Sequence, residues 1–352
     1  MRQTATDGQD RQRKRMMWQL PFLVLLIVGT VLIVRGQRDS PYQHDSGFVF
    51  GTLYNVTYRC DTNMQRRIET ELGAVDHALS MFNDSSVISA VNRGERIEVN
   101  DMFRTVFELS MTVSRETNGA FDITVAPLVN AWGFGFEDGY SPTKRQVDSL
   151  LRLVGYEKVS YCQEGDSAEV RTAVQGMQLD CSSVAKGYGC DIVAALFHNC
   201  GINDFMVEIG GEIVASGVSE KRVPWRIGVE KPVDDTISTH GNVGAVINIT
   251  DKAIATSGNY RNYYYKDGKK YAHTIDPHTG YPVQHNILSA TVIADDCATA
   301  DAYATAFMVL GLDSARAVLD KHPELMAYFI YADDTGGEAV WCSPALEDKI
   351  ER

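Results

Sequence analysis

Three groups of side chains in this chain have the types and spacing for chemistry. The first is a turn, Tyr271-Ala-His-Thr-Ile-Asp-Pro-His-Thr-Gly-Tyr-Pro-Val283, which gathers His273, Asp276 and His278 among Pro277, Gly280 and Pro282. A histidine oriented by a carboxylate can take a proton from a hydroxyl near neutral pH. The same residues fit a plainer role, in which Asp276 caps its own turn. The second group is Asp301 and Thr305, four residues apart in a helix-like run that ends at Gly311. That spacing sets a carboxylate and a hydroxyl one above the other on one helix face. Hard oxygens so placed suit Mg²⁺. They equally suit an acid near a helix start and a hydroxyl bonded back to its own helix. The third group is Asp180-Cys-Ser-Ser-Val-Ala-Lys186-Gly-Tyr-Gly-Cys-Asp191. Ser182 and Ser183 are natural helix starters, and Lys186 in the first turn opposes the helix dipole, which gives it a reason to meet an anion. Gly187 and Gly189 permit close approach of a ligand or of a neighbouring element. A capped helix packed tightly on a sheet explains the same pattern. Taken together, the three groups suit a metal-assisted enzyme that handles phosphate.

Secondary structure must bring these groups together. Apolar periodicity predicts helices over 62–81, 101–116, 184–199 and 313–322, with a further one opened by Ser141-Pro142. Asn118-Gly119 reads as the stop of the 101–116 helix. Strands are predicted over 48–58, 157–161, 176–179, 205–209, 212–215, 225–229, 244–248, 253–256, 326–331 and 339–341, with another inside 271–311. Helices and strands mix without regular alternation, so the fold class is α+β. Val207-Glu-Ile-Gly-Gly211-Glu212 reads as a tight turn or a bulge beside a ligand. Phe121, Trp132, Phe134 and Phe136 suit either the core or stacking on a flat heterocycle. Neither GxGxxG nor GxxxxGK[ST] occurs, which removes the main support for Rossmann and P-loop readings.

Composition narrows the class further. Of 352 residues, 44% are hydrophobic and 22% charged, as in folded globular chains. A formal net charge of −13 argues against non-specific nucleic-acid binding, which draws on basic surfaces. Seven cysteines include no CxxC pair, so a zinc ribbon or thioredoxin-like site is unsupported. Arg2, Arg11, Arg13, Lys14 and Arg15 precede an apolar run, which approaches the about 20 residues that span a bilayer. The expected organisation is a cytoplasmic basic segment at 1–15, a transmembrane anchor at 16–35 and a linker at 36–47. One domain over 48–345 and a polar tail at 346–352 follow. The basic flank predicts a cytoplasmic N-terminus and an exported remainder, and no small-x-small cleavage site follows Val34.

The motifs and their order resemble the bacterial FAD:protein FMN transferases, the ApbE family, over roughly residues 48–312. The resemblance rests on Gly51-Thr52, the 80–89 segment, Gly119-Ala-Phe-Asp122, Pro127-Leu-Val-Asn-Ala-Trp-Gly-Phe-Gly135, Asp180 with Ala185-Lys186-Gly-Tyr188, and Ile209-Gly-Gly211. Thr256-Ser-Gly258, His273-x-x-Asp-Pro-x-Thr-Gly-x-Pro282 and Asp301-Ala-x-Ala-Thr305 complete it. Phe50 stands where the family has Met, and Met81-Phe82 where it has Thr-Tyr; Phe82 keeps apolar area and loses a hydroxyl. The resemblance implies an α+β enzyme of the ApbE type, exported in many bacteria. Using Mg²⁺ and taking FAD as substrate, such an enzyme transfers FMN to a Thr or Ser hydroxyl of a partner protein and releases AMP. By position it implies Mg²⁺ at Asp301, Thr305 and the Ser183 carbonyl, and proton transfer by His273 with Asp276. FAD contacts would fall at Phe50, Phe82, Ala120, Phe121, Asp122, Asp180, Lys186 and Ile275. The expected anchor fits a membrane redox subunit as acceptor, met by an inner-membrane-anchored domain facing the periplasm. A Mg²⁺-dependent FAD pyrophosphatase and a non-catalytic flavin carrier are the alternatives; no nucleic acid is expected.

Overall fold

Strands of alternating apolar residues build the frame of this computed structural model, which describes residues 21, 23–30, 40–135, 141–164, 167–231, 243–259, 263–266, 269–333, 335 and 337–351. In chain order the elements begin β1 (Tyr42–Val49), β2 (Thr52–Arg59), α1 (Gln65–Leu79), α2 (Val87–Asn92), α3 (Asp101–Glu116), α4 (Ala126–Ala131) and α5 (Lys144–Leu150). Next come β3 (Val159–Glu164), β4 (Ser167–Thr172), α6 (Ser182–Asn199), β5 (Phe205–Ile209), β6 (Glu212–Ser216), β7 (Trp225–Glu230), β8 (Val243–Ile249) and β9 (Lys252–Gly258). The last are β10 (Tyr263–Lys266), β11 (Lys269–Ala272), β12 (Ile287–Ala294), α7 (Cys297–Leu310), α8 (Leu312–Leu319), β13 (Met326–Ala332), β14 (Glu338–Cys342) and β15 (Ile350–Glu351).

Eight strands form one sheet in the order β1-β2-β5-β6-β9-β12-β13-β14, every neighbouring pair antiparallel. Successive side chains on a strand point to opposite faces, and both faces of this sheet are used. Ala255, Ala290, Val292 and Ala294 pack in the same core as α3 and α7. Their chain neighbours Ile254 and Ile293 turn the other way, onto Trp225, Ile227 and Ile247 of the small sheet β15-β8-β7. The result is a helical layer, a large sheet and a small sheet. The helical layer holds α6 and α7, and α7 is buried around most of its circumference, as its apolar sequence requires.

The α+β class stands, with local corrections. The strand expected over 48–58 is a hairpin, β1 and β2, turning at Phe50-Gly51 with φ of 51° and 76°. Positive φ at both turn residues is what a two-residue hairpin of this hand demands, and phenylalanine gives no warning of it. Residues 42–47 are therefore strand rather than linker. The second strand of the β3–β4 hairpin lies at 167–172, and residues 176–179 are not strand. The helix near Pro142 starts later, at Lys144, because Thr143 and Gln146 close a capping box. The hairpin of β10 and β11 was not expected. The chain end is not a free tail: Leu346 is buried, and Ile350 pairs with Ile247. Most of the expected anchor, 16–35, lies outside the described residues. Residues 23–30 are helical, and no helix among the described residues is long and apolar enough to cross a membrane.

Candidate active site

The site is organised by the crossing of α6 and α7. Gly187 makes the crossing close: a Cβ there would stand 2.3 Å from the Cys297 carbonyl oxygen. With no side chain in the way, the Gly187 N–H donates to Asp301 Oδ2 at 3.2 Å. Lys186, one residue earlier, lies 3.0 Å from Glu212 Oε1 and 3.7 Å from Asp301 Oδ2. Both acids are nearly inaccessible, at 2% for Asp301 and 3% for Glu212. Burial raises the Asp301 carboxyl to about 7, with Glu212 adding to the rise and Lys186 opposing it. Burial also disfavours the Lys186 ammonium, but Asp301 and Glu212 outweigh it and hold the lysine above its ordinary range.

Neighbouring acids fix the helix starts. Asp191 on α6 accepts from Cys297 N at 2.7 Å and Ala298 N at 2.8 Å, and Asp296 caps α7 through Thr299 N. These bonds occupy N–H groups that a helix start leaves unpaired. Thr305, one turn beyond Asp301, shares its face and meets Ser257 Oγ at 3.3 Å. At the head of α6, Asp180 accepts from Ser182 N at 2.8 Å, and its own N–H donates to Ile123 O. That bond ties α6 to the Ala120–Thr124 segment. Asp122 there accepts from Thr124 N, Thr124 Oγ1 and Tyr156 N at 2.8, 2.6 and 2.8 Å. Burial raises both Asp122 and Asp180, against the pull of these bonds.

A cleft of about 420 Å³ opens over this floor. Lys186, Ser183, Asp301, Thr305, Asp180 and Asp122 line it together with Ala120, Phe121, Phe82, Ile275 and His273. Eleven of the thirteen residues singled out from sequence thus share one cavity; Phe50 and Asp276 do not line it. Phe50 packs instead on α6, where a Cβ at Gly189 would come 2.7 Å from its ring. Asp276 caps its own turn: it accepts from His278 N at 2.9 Å and Thr279 Oγ1 at 2.9 Å, and faces His278 Nδ1 at 3.2 Å. That geometry is the plainer of the two sequence readings, and it pairs Asp276 with His278 rather than His273. The His273 ring stands edge-on to Phe134 at 6.4 Å between centroids. Trp132 is a core residue, donating Nε1 to Gly280 O at 2.8 Å and stacking on Tyr271.

Sequence reasoning missed Glu212 as a site residue. The Gly210-Gly211 turn, with φ of 64° and 106°, is a two-residue hairpin between β5 and β6 that delivers Glu212 to Lys186. Ser257 and Phe134 also line the cleft. Among the described residues no cluster of three or more His, Cys, Asp or Glu side chains has metal-binding geometry.

Fold and cleft together define an α+β enzyme domain whose pocket joins an apolar wall to a floor of one lysine and two acids. The chain belongs to the ApbE family, which it matches over residues 50–329. FAD:protein FMN transferases of Haemophilus influenzae and Escherichia coli strain K12 are 35% and 34% identical to it, over 89% and 86% of this chain and 93% and 87% of their own lengths. The flavin transferase ApbE from Vibrio cholerae, a solved structure, is similar with a TM-score of 0.78 at 34% identity, covering 88% of this chain and 100% of that one. The apo flavinyl transferase ApbE of Pseudomonas stutzeri gives a TM-score of 0.78 at 29% identity, over 89% and 98%.

Proposed function

We infer that this chain is an FAD:protein FMN transferase, which moves FMN from FAD to a Thr or Ser hydroxyl of a partner protein and releases AMP. One observation carries the reading: Lys186, Asp301, Thr305 and Ser183 converge with His273 on one apolar-walled cleft, in a chain whose curated relatives bear that name. The cavity falls in the range of roughly 300–1,000 Å³ that small-molecule sites occupy.

The residues present fit Mg²⁺. One buried carboxylate, one hydroxyl and a helix-start carbonyl are too few for a closed protein cage, but Mg²⁺ shares its shell with waters and substrate phosphates. Asp301, Thr305 and the Ser183 carbonyl would hold it. When bound, it would neutralise charge on the pyrophosphate and polarise its oxygens. Phe82, Phe121, Ala120 and Ile275 offer the flavin ring system apolar surface. Asp122 and Asp180 hold the loop and helix start that frame that surface. Lys186 directs its ammonium at the pyrophosphate, where charge grows in the transition state. His273 takes the proton of the acceptor hydroxyl. That oxygen bonds to the FMN phosphorus while the pyrophosphate P–O bond breaks, and AMP leaves with the bond's electron pair. Phe50 and Asp276 act at one remove, through packing on α6 and through the turn that carries the base.

The basic flank and the apolar run at 16–35 support an uncleaved inner-membrane anchor, with the domain on the periplasmic side and a membrane redox subunit as acceptor. Incubating the full chain with FAD, Mg²⁺ and a Ser/Thr-bearing acceptor tests the function. The acceptor should become covalently fluorescent as AMP accumulates. Free FMN and AMP with an unlabelled acceptor would make the chain a pyrophosphatase, and unchanged bound FAD would make it a carrier.

A further inference from the structure

We propose that Glu212 is the counter-ion that holds Lys186 off Asp301 and so keeps Asp301 available to a divalent cation. The inference rests on the reading of Asp301 as a cation ligand, and it concerns a residue for which that reading has no role. Lys186 stands between two buried carboxylates and is not shared equally, lying 3.0 Å from Glu212 Oε1 and 3.7 Å from Asp301 Oδ2. The nearer bond is a hydrogen-bonded ion pair; the farther one is beyond ordinary hydrogen-bond reach. Glu212 is 3% exposed, and its second oxygen, Oε2, has no hydrogen-bond partner among the described residues. Among the described residues the polar bonding of its side chain is therefore with Lys186, and Glu212 lines the cleft.

The backbone is built for this pairing. Gly210 and Gly211 make the tight turn between β5 and β6, and Glu212 follows directly. A Cβ at Gly210 would lie 3.4 Å from Lys186 Cδ, so the lysine stem runs against the turn and its head meets the residue that leaves it. The Lys186 side chain is 29% exposed, and an ammonium lying against two buried carboxylates still favours a carboxylate partner over none. If Glu212 loses its charge, Asp301 is the remaining carboxylate within 4 Å of Nζ among the described residues. The ammonium then closes on Asp301 and competes with any cation there. Glu212 is thus a positioning residue that acts through Lys186, not a group that touches the reacting atoms.

The test measures Mg²⁺ affinity of the full chain without FAD, by calorimetry and by competition with spin-active Mn²⁺. Glu212→Gln keeps the shape and removes the charge, and should weaken Mg²⁺ binding by about tenfold or more. In a Lys186→Met background the same substitution should change the affinity by less than about twofold, because no ammonium is left to occupy Asp301. A merely structural role would instead move the thermal midpoint and leave that coupling absent. Unchanged affinity in Glu212→Gln overturns the proposal, as does an equal loss in both backgrounds, which would make Glu212 a plain contributor of negative field. Should Glu212→Gln fail to fold, Lys186→Met alone decides: it should bind Mg²⁺ at least as tightly as the parent, and weaker binding overturns the proposal. A parent chain that binds no Mg²⁺ removes the cation reading itself, an outcome distinct from a parent that binds and a variant that does not respond.

Discussion

Gly187→Ala should damage this protein although alanine is the better helix former. A Cβ at that position would lie 2.3 Å from Cys297 O, 2.6 Å from Cys297 C and 2.9 Å from Ala298 N. All three atoms are backbone, so no rotamer change can relieve the contact. Ordinary contact begins at 3.4 Å, so α6 and α7 must separate by about 1 Å, and overpacking of this kind costs about 1–3 kcal/mol or more. The propensity gain of alanine returns at most about 1 kcal/mol, leaving a net loss of roughly 2 kcal/mol at the upper end. The movement also stretches the 3.2 Å bond from Gly187 N to Asp301 Oδ2, so FMN transfer should fall further than the stability loss explains. Gly73 is the control. It sits exposed in α1 with nothing within 4 Å of an added Cβ, and Gly73→Ala should stabilise by about 0.5–1 kcal/mol. Urea unfolding of both variants and transfer rates under native conditions supply the readouts. A Gly187→Ala midpoint at or above that of the parent would refute the argument that the helix crossing requires a missing side chain.

Three further outcomes follow from the site. Asp301→Ala should lose Mg²⁺-dependent turnover by about two orders of magnitude or more, with FAD still bound; full activity in a metal titration would sink the metal assignment. His273→Ala should bind FAD as the parent does and transfer FMN about 10²–10⁴-fold more slowly; a normal single-turnover rate would remove it as the base. Mg²⁺ affinity should fall with pH below about 7, because burial raises the Asp301 carboxyl to that value and protons then compete with the cation. The sign for the metal-free fold is opposite to that of a salt-bridged acid. A raised carboxyl contributes stability below its unfolded range and loses it as pH climbs through about 7. Flat Mg²⁺ affinity between pH 6 and 8, read by calorimetry, would contradict the shift.

Much of this architecture was legible because its signals are local. α3 begins on Asn100, whose side chain accepts from Phe103 N, and stops at Asn118 and Gly119 with φ of 51° and 81°. Each of those residues advertises its role in the sequence. Phe50 does not, since nothing in a phenylalanine announces positive φ, and the β1–β2 hairpin was read through as one strand. Residues 176–179 failed for the converse reason: apolar alternation was present, but no strand among the described residues pairs with it. In the site, Lys186 was found because it opposes the dipole of its own helix, and Asp301 because Thr305 follows it four residues on, on the same helix face. Glu212 breaks no local rule, and its role exists only once β6 has been laid beside α6. Gly187 and Gly189 carried two readings, and the fold chose neighbours over ligand, Cys297 for one and Phe50 for the other.

The two halves of the cleft have separate supports, and this bears on how they can fail. The half that carries Lys186 and Asp301 is held by the α6–α7 crossing, where Asp191 binds the first N–H groups of α7 and Gly187 lets the helices touch. The backbones of Lys186 and Asp301 therefore move only if two packed helices move, and packed cores resist small displacements. The half that carries His273 has a different support. Its turn is closed by Asp276 on His278 and Thr279, pinned to the end of α3 by His278 Nε2 on Asn118 O at 2.8 Å, and to α4 by Trp132 on Gly280 O. The tip of this turn is open, with the His278 side chain 55% exposed, but Thr274, Ile275 and Val283 of the same turn are buried, and Ile275 packs with Leu128, Trp132 and Val147. Opening of the tip therefore breaks only exposed hydrogen bonds, whereas shifting His273 would carry buried apolar neighbours with it. The turn can yield at His278 while the residues on either side of His273 stay packed.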